Sequence, residues 1–510
     1  MQWRGSVAAL VNPYTHISES CNTHMAINCG TFIHGRLHAS NADPVDLFNP
    51  ATGEVARRII PSTPDDAANA ILDCRMAQPA WAATEPKQRA RILLKLADLV
   101  EEHADELTAL EVAETGKPVS FMRFGEIVTA ADNIRYFAGA LRALDGTGAG
   151  VFAKGFTSVL TRRPVGVVAG IAPWNFPLIM GIWKAVPAIA GGNAVVVKAA
   201  PQTPSTTLRL AELAIEAGLP AGVFNVVTGG ADTGRMLASH GSVDMVSVTG
   251  SSTTGRLVME QAAQSMKRVH LELGGKAPAL LLDDADLAAA ASAIVFGANY
   301  NTGQDCTSAT RAYVPRHLHD AFVDAALAEM DKLVVGDPLD PATTVGPLIS
   351  PSHRDRVHGF VERAVAAGAR LAGGGRIPDG QRYFYPPTLV TGAAQDSEIV
   401  QDEIFGPVLV VVPYDGGDDE AIRLANNSRF GLASSVWSMD GGRALRTAHQ
   451  LDVGVTWINS HLPITSEMPH GGVKGSGFGK DMSAEVIAEY TVSRHIMIRH
   501  SPLDEPLAWG

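Results

Sequence analysis

Apolar residues recur at helical spacing along the first part of the chain. Over residues 65–81 and 86–114 they stand three and four positions apart, as on the buried face of a helix. A further helix is expected over residues 121–144. Gly116 follows the second stretch and is expected to end it, because glycine takes up the backbone conformation that closes many helices. The region before residue 145 is therefore predicted to be mainly helical.

From residue 165 onward the pattern changes to a strict alternation of strands and helices. The predicted strands are near-continuous Val and Ile runs, as expected where both faces of a parallel sheet are covered. They span residues 165–171, 194–198, 223–227, 245–248 and 268–273. The predicted helices between them span residues 177–189, 204–217, 232–239 and 255–264. This alternation predicts a doubly wound parallel sheet. An Ala-rich helix after Asp286 leads to a second α/β region over residues 311–461.

Composition narrows the class of protein. The chain has 510 residues, of which 46% are hydrophobic and 18% charged, and it carries a net charge of −12. This length suggests roughly two to four globular domains. The acidic balance argues against a nucleic-acid partner. No apolar stretch is long enough for a membrane helix, so no membrane partner is expected. We therefore expect a cytoplasmic protein.

The four cysteines, Cys21, Cys29, Cys74 and Cys306, indicate a reducing compartment. They include no Cys-x-x-Cys pair and match no zinc spacing, so neither a disulfide framework nor a metal site is predicted. Residues 1–28 mix His, Asn, Ser and Cys around a short apolar run and are expected to be a disordered extension.

Three features near strand ends suggest a ligand site, each with a structural alternative. Asn175, in Pro-Trp-Asn-Phe-Pro at 173–177, offers an amide for a developing oxyanion, or else caps a turn. Lys198 closes an apolar strand and could bind a ribose, or else extends to solvent. Glycines after two strands precede helices and could hold a pyrophosphate, or else be ordinary turn residues. These glycines are Gly229, Gly230, Gly234, Gly250 and Gly255.

Two further residues carry candidate chemistry. Glu272 lies between leucines at a strand end, where partial desolvation would suit a general base, although an ion pair is an equal alternative. Cys306 lies in a Gly-containing turn after a helix, where its thiolate would be a strong nucleophile, although a buried structural cysteine is the alternative.

Six ordered motifs together resemble the aldehyde dehydrogenase superfamily over residues 31–500. They are PWNFP at 173–177, VVVKAA at 195–200, VTGS at 248–251, LELGGK at 271–276, NTGQDC at 301–306 and EIFGP at 403–407. The resemblance implies an α/β fold with a Rossmann-type cofactor domain, a second α/β catalytic domain and a small β oligomerisation arm. The implied ranges are 29–147 and 164–285 for the NAD(P)-binding domain, 286–484 for the catalytic domain, and 148–163 with 485–510 for the arm and tail.

The same resemblance assigns roles to residues. Cys306 would be the nucleophile, Asn175 an oxyanion donor, Glu272 the base that hydrolyses the thioester, and Lys198 a ligand of the adenosine ribose. The cofactor contacts it implies are Ile171, Ala172, Pro173, Trp174, Lys198, Gly230, Gly234, Thr249, Gly250, Ser251, Leu273, Glu403 and Phe405. Because Glu272 is present, the product would be the free acid rather than a coenzyme A ester. Retention of these residues argues against a catalytically silent binding protein on the same fold.

One departure concerns the cofactor. Members that prefer NAD usually carry Glu three residues after the ribose-binding lysine, whereas this chain has Pro201. A carboxylate there would repel a 2′-phosphate, and its absence removes that exclusion. NAD is the expected cofactor and NADP the alternative.

The residue before the nucleophile suggests a substrate. Asp305 would raise the pKa of Cys306, and a cationic substrate paired with Asp305 would offset this effect, unless Asp305 only caps a turn. Trp183, Phe176 and Trp457 are candidate pocket aromatics, since aromatic faces attract ammonium groups, although ordinary apolar packing is the alternative.

Further motifs resemble the γ-aminobutyraldehyde (1-pyrroline) dehydrogenases of polyamine breakdown. They are YNTGQDCT at 300–307, LASSVW at 432–437, EMPHGG at 467–472, GKDMS at 479–483 and RHIM at 494–497.

The expected substrate is therefore 4-aminobutanal or a related ω-aminoaldehyde. Betaine aldehyde, or a broad range of aldehydes, is the alternative. The arm strands at residues 151–163 and 490–499 alternate apolar and polar residues, and such exposed strands need partners. A homodimer or homotetramer is expected.

Overall fold

The computed structural model of the protein describes residues 29–143, 148–380 and 383–500. The predicted disordered extension at 1–28 and the end of the tail at 501–510 lie outside the described residues. The N-terminal region is mainly helical, after short strands at Thr31–Ile33, Arg36–His38, Val45–Phe48 and Val55–Ile59. Its helices are Pro64–Ala82, Pro86–Glu102, Ala104–Thr115, Val119–Phe121 and Ile127–Ala140, with a π-helical turn at Met122–Glu126.

The helix predicted over residues 86–114 is two helices. The chain leaves helical geometry at His103, where φ is −96° and ψ is 20°, and the His103 ring contacts the Glu106 carboxylate at 2.7 Å. Apolar spacing continues across this break, because both helices bury their apolar face against the same core. Gly116 ends the second helix in the left-handed conformation, as expected.

An eight-stranded sheet forms the first α/β unit. Its strand order is Gly477–Phe478, Arg268–Leu273, Met245–Gly250, Val167–Ile171, Ala194–Lys198, Phe224–Val227, Thr31–Ile33 and Arg36–His38. The five strands between residues 167 and 273 are parallel, and the others pair antiparallel. Val195 and Val197 face one hydrophobic core, whereas Ala194 and Val196 face another. Helices therefore cover both faces, and the prediction of a doubly wound sheet is confirmed.

The helices of this unit begin and end close to their predicted positions. They are Pro177–Ala190, Ser205–Glu216, Ala231–Ser239 and Ser252–Ala263. The helix Ser483–Glu489 returns from the end of the chain, and its Val486 and Ile487 pack in the same core as Pro177–Ala190.

A seven-stranded sheet forms the second α/β unit. Its order is Arg370–Gly373, Thr388–Thr391, Val408–Tyr414, Ala309–Pro315, Ala277–Leu281, Ala433–Trp437 and Val455–Ile458. Its helices are Leu287–Asn299, His319–Met330, Pro351–Ala366, Glu398–Gln401, Asp418–Asn426 and Gly441–Ala448. Ala277–Leu281 lies in this sheet although it precedes the expected boundary at residue 286. Only Gly274, Gly275 and Lys276 separate it from the first sheet, a turn that the strand pattern does not show.

A small antiparallel sheet joins Thr491–Arg499, Phe156–Pro164 and Gly150–Ala153 in that order. Short 3-10 turns lie at Tyr300–Gly303, Arg316–Leu318 and Lys474–Ser476. Across residues 29–143, 148–380 and 383–500, no helix has the length and apolarity to cross a membrane.

Candidate active site

The turn that carries Cys306 has an unusual backbone. After the helix Leu287–Asn299, the three residues Asn301, Thr302 and Gly303 all have positive φ, of 48°, 58° and 67°. Such conformations are sparsely populated for residues other than glycine and persist where the surroundings hold them. The Thr302 hydroxyl donates to the Gly346 carbonyl at 3.2 Å, and the Ile349 N–H donates to Gln304 Oε1 at 2.9 Å. The turn is thus fixed by contacts from a distant part of the chain.

Two cavities share the side chain of Cys306. The first has a volume of about 330 Å³ and the second about 410 Å³. Asn175, which is 5% exposed, lines the first cavity and donates from its amide to the Gln304 carbonyl at 3.0 Å. Asn301 in turn donates to the Asn175 carbonyl at 3.0 Å. A side-chain amide has two N–H groups, so Asn175 has a second donor for a ligand in the first cavity.

The Cys306 side chain is held as a neutral thiol at rest. Burial, together with the carboxylates of Asp305, Glu403 and Glu272, raises the pKa of Cys306 well above the usual thiol value. A thiolate nucleophile at this position therefore requires a base that accepts the proton.

Glu272 is buried next to this turn on the strand Arg268–Leu273. It pairs across the strands with Thr249 and Gly477, and its Oε1 has no hydrogen-bond partner among the described residues. A Cβ on Gly471 would lie 2.2 Å from that oxygen, so glycine makes the space for the carboxyl group. Burial and the nearby Asp481 carboxylate raise the pKa of Glu272 well above its ordinary value. Glu272 does not line either cavity at Cys306, although Leu273 and Gly274 line the first.

A buried charged network lies beside Glu272. Lys184 donates to Asp481 at 2.8 and 3.1 Å, and both side chains are fully buried. The His270 ring contacts Asp481 at 3.4 Å and Glu489 at 3.0 Å, and the Glu489 side chain is 35% exposed. Against the effect of burial, Lys184 and His270 lower the pKa of Asp481 to about 2. The network therefore connects a buried ammonium to a carboxylate that reaches solvent.

The first cavity is lined by most of the expected cofactor contacts. Those present are Pro173, Trp174, Thr249, Gly250, Ser251, Leu273, Glu403 and Phe405. Ser251 caps the helix Ser252–Ala263 by accepting from the Thr254 N–H at 3.1 Å. His353 and Arg356 also line this cavity, and no sequence signal had pointed to them.

A third cavity of about 310 Å³ lies at the ends of two strands of the first sheet. Ile171, Lys198, Gly230 and Gly234 line it, as expected, together with Pro201. Burial lowers the pKa of Lys198 to about 8. Its ammonium has one hydrogen bond within the described residues, a 3.4 Å contact to the Ala199 carbonyl. Ala172 is buried, and its N–H donates to the Lys198 carbonyl at 3.0 Å rather than facing this cavity.

The second cavity at Cys306 is rich in aromatic groups and has two carboxylates in its wall. Asp305, Trp183 and Phe176 line it, as expected. One carboxylate oxygen of Asp305 also accepts from the Thr307 N–H at 2.7 Å, which is the turn cap that the alternative describes. Residues that the sequence did not indicate also line it. They include Glu126, Phe296, Tyr300, His461 and His470.

Trp457 is not part of this wall, contrary to expectation. Its indole N–H donates to the Pro463 carbonyl at 2.7 Å, and its ring packs against His461 with centroids 4.8 Å apart. His461 lines the cavity, and Trp457 packs against the His461 ring. Burial lowers the pKa of His461 to about 4, which keeps that ring neutral.

Within the described ranges, no three His, Cys, Asp or Glu side chains are placed to hold a metal ion. The arrangement offers a thiol, an amide donor, a buried carboxyl group and two adjoining cavities.

Comparison with known proteins finds a matching family and similar structures. Residues 37–496 match the sequence profile described as "Aldehyde dehydrogenase family". A protein of Vibrio vulnificus (strain CMCP6) named betaine aldehyde dehydrogenase is 41% identical over 466 residues, which cover 90% of this chain and 95% of the relative. An NAD-dependent aldehyde dehydrogenase of Sinorhizobium meliloti has a similar crystal structure, with a TM-score of 0.92, 38% identity and 98% coverage of both chains. The NAD+ complex of an aldehyde dehydrogenase from Bacillus cereus superposes with a TM-score of 0.91 and 36% identity, covering 94% of this chain and 98% of that one.

Proposed function

The chain belongs to the aldehyde dehydrogenase family, and on that premise we propose that it oxidises an aldehyde to the carboxylic acid with NAD as acceptor. The observation that carries this proposal is that two cavities meet at the Cys306 side chain. One presents Glu403 and Phe405, and the other presents Asp305. A cofactor and a substrate can therefore reach the same sulfur atom from different cavities.

The described residues fit a dinucleotide. The buried, poorly paired ammonium of Lys198 faces a cavity in which a Cβ on Gly230 would touch nothing within 4 Å, so there is room for a ribose and its phosphates. Ser251 stands at a helix N-terminus in the adjoining cavity, and the Glu403 carboxylate can accept from the hydroxyls of a second ribose. NAD, when bound, supplies the acceptor for a hydride.

The protein's own groups account for the remaining steps. Cys306 Sγ bonds to the aldehyde carbon while its proton passes to Glu272, and the Asn175 amide and the Cys306 N–H stabilise the alkoxide. Loss of hydride leaves the acyl group on Cys306 as a thioester. Glu272 passes that proton on to solvent and then takes one from water, the hydroxide adds to the acyl carbon, and the C–S bond breaks. The acid leaves, and the sulfur recovers its electron pair.

We propose an ω-aminoaldehyde, with 4-aminobutanal as the representative, for the substrate. The wall of the second cavity contains the carboxylates of Asp305 and Glu126 and, among the described residues, no Lys or Arg. Lys117 donates to both oxygens of Glu126 at 2.7 and 2.6 Å, and burial raises the pKa of Glu126 to about 8, so Glu126 contributes little negative charge. Asp305 is thus the freer acceptor for an ammonium. The Tyr300 and Trp183 rings of the same wall offer it aromatic contact, whereas the Phe176 ring already carries the Lys117 ammonium 4.5 Å from its centroid.

Betaine aldehyde is the second candidate, because a 41% identical relative carries that name. The two candidates differ in hydrogen bonding. A primary ammonium donates to Asp305, whereas a quaternary one has no N–H and relies on charge and aromatic contact alone.

Rates of NADH formation with 4-aminobutanal, betaine aldehyde and butanal test the proposal, for the wild type and for Asp305→Asn. Asn keeps the oxygen that the Thr307 N–H needs, so the turn is preserved while the charge is lost. We expect the variant to raise KM for 4-aminobutanal about tenfold or more, because a charged hydrogen bond is lost. KM for butanal should stay within about twofold, since it has no charged group to pair. A wild type that prefers butanal, or equal changes in KM, would reject the aminoaldehyde. A strong preference for betaine aldehyde would select the second candidate.

NADP is the alternative acceptor in this proposal. The third cavity, at Lys198, is lined by the cations Lys198 and Arg235 and, among the described residues, by no Asp or Glu, although Arg235 also pairs with Asp232 beside it. We call it the ribose cavity. Pro201 lines the same wall and is uncharged, so it does not repel an anion there. A 2′-phosphate therefore meets attraction rather than repulsion there.

We also propose that the protein assembles as a homodimer or homotetramer through the small sheet. Thr491–Arg499 is an edge strand, and its Ile496, Met497 and Ile498 are between 38% and 49% exposed. Phe152 on the opposite edge strand is 84% exposed. Exposed apolar edges of this kind favour burial against a second copy, and light scattering of the purified protein measures the mass.

A further inference from the structure

Three consecutive carbonyl groups beside the first cavity are held by one helix. Arg356 donates from Nη2 to the Glu403 carbonyl at 2.7 Å and from Nη1 to the Ile404 carbonyl at 2.6 Å. His353 donates from Nε2 to the Phe405 carbonyl at 2.7 Å. Both side chains come from the first turns of the helix Pro351–Ala366. The helix therefore fixes the backbone path of the segment that presents the Glu403 carboxylate and the Phe405 ring to the cavity.

This segment needs such support, because Phe405 has a φ of 60°. A bulky residue rarely adopts the left-handed region, and it does so where neighbouring groups leave no other arrangement. The Trp174 ring meets the Phe405 ring edge-on at 5.3 Å, and the His353 ring lies 5.5 Å from Trp174. Burial lowers the pKa of His353 to about 4, so the ring stays neutral and its Nε2–H bond persists across the physiological range.

The residues just before this helix also hold the turn at residues 301–306 that carries Cys306, which we call the nucleophile turn. Gly346 bonds to Thr302, and Ile349 bonds to Gln304, as described above. The nucleophile turn and the Glu403–Phe405 segment touch each other directly, since a Cβ on Gly303 would lie 2.2 Å from the Gly406 carbonyl oxygen. Residues 346–356 thus contact, within eleven positions, both sides of the cavity at Cys306.

We propose that residues 346–356 form a brace that sets the spacing between the Cys306 sulfur and the cofactor-facing groups of Glu403 and Phe405, with His353 and Arg356 as positioning residues for hydride transfer. This inference rests on the proposed function. The two ends of the brace divide the task, because Gly346 and Ile349 hold the nucleophile turn and His353 and Arg356 hold the cofactor side. Loss of the second end should therefore impair reactions that need NAD and spare reactions that need only the thiol.

Two pairs of variants separate these effects. Arg356→Met removes both donors and Arg356→Lys keeps one charged donor, whereas His353→Phe removes the donor and His353→Gln keeps an amide N–H. Arg363→Met is the matched control, since Arg363 lies on the same helix and pairs with Glu398 on the surface, away from the cavity. The readouts are kcat and KM for NAD with the preferred aldehyde, the Kd of NAD by calorimetry, and cofactor-free hydrolysis of 4-nitrophenyl acetate. The ester is hydrolysed through a Cys306 thioester without any hydride transfer.

We expect Arg356→Met and His353→Phe to lower kcat/KM for NAD about 100-fold, the usual effect of a misplacement near 1 Å. The Kd of NAD should rise, ester hydrolysis should stay within about twofold, and Arg356→Lys and His353→Gln should recover part of the loss. Arg363→Met should match the wild type. An equal fall of both activities, or unchanged NAD kinetics, overturns the brace. If the wild type oxidised no aldehyde, the proposed function would fall, whereas an unchanged Kd of NAD in both donor-free variants would overturn the brace alone.

Discussion

Substitution of Gly303 by Ala is the sharpest test of how the nucleophile turn works. Gly303 has a φ of +67°, and a Cβ there would lie 2.2 Å from the Gly406 carbonyl oxygen and 2.6 Å from the Pro407 nitrogen. Both are backbone atoms, which cannot rotate away as a side chain would. Because real Cβ atoms essentially never approach closer than 3.0 Å, the turn and the facing segment must separate by about 0.8 Å.

That displacement reaches the reacting sulfur, since Cys306 follows three residues later. A misplacement near 1 Å costs about 100-fold in rate, which corresponds to a barrier higher by about 2.7 kcal/mol. The left-handed backbone adds a cost of about 1–2 kcal/mol for a residue that bears a Cβ. We therefore expect Gly303→Ala to lower kcat about 100-fold and to lower the free energy of unfolding by about 1–3 kcal/mol.

The assay compares kcat for aldehyde oxidation, cofactor-free hydrolysis of 4-nitrophenyl acetate and the thermal unfolding midpoint. Both activities should fall in Gly303→Ala, because the nucleophile itself is displaced. Gly139→Ala is the matched control, since a Cβ on that exposed helical glycine meets nothing within 4 Å. It should keep full activity and gain up to about 1 kcal/mol of stability. Wild-type kcat in Gly303→Ala would refute the reasoning.

Three further predictions concern charge. Pro201→Glu places a carboxylate in the ribose cavity and should weaken NADP binding at least tenfold by calorimetry while leaving the Kd of NAD within about threefold. In the wild type, NADP affinity should be highest below about pH 8 and fall above it, because Lys198 loses its charge there; a flat profile would contradict this role. Alkylation of Cys306 by iodoacetamide without cofactor should accelerate with pH and reach no plateau below about pH 8.5, the usual thiol pKa, because burial and three carboxylates disfavour the thiolate. Asp305→Asn should shift that curve to lower pH, and a plateau near neutrality in the wild type would be inconsistent with a raised pKa.

Much of the fold follows from local pattern. Buried Val and Ile runs mark the strands Val167–Ile171 and Ala194–Lys198, because both faces of an inner parallel strand are covered. Ligands of such sheets collect at the carboxyl ends of the strands. This rule explains why Lys198 and the glycine-bearing turns could be expected at cavities before the structure was known.

The parts of the site that were not predicted depend on contacts between distant residues. His353 and Arg356 lie on a helix whose apolar spacing shows only which face is buried, and their acceptors are 47 to 52 positions away. Lys184 and Asp481 are 297 positions apart. Trp457 was misplaced for a different reason, because its aromatic character does not show that the nearby His461, and not Trp457, would line the cavity.

The electrostatics of the site connect substrate choice to reactivity. Asp305 is one of the groups that raise the pKa of Cys306, so the residue proposed to bind the substrate also holds the nucleophile in its neutral form. An ammonium placed against Asp305 would offset that negative charge and so favour the thiolate. The two equilibria are linked. If ammonium binding lowers the pKa of Cys306, deprotonation of Cys306 strengthens ammonium binding by the same factor. A neutral aldehyde gives no such relief, since it leaves all three carboxylates uncompensated. A cationic substrate would thus gain in kcat as well as in affinity, which an aspartate serving only to cap the turn at Thr307 would not explain.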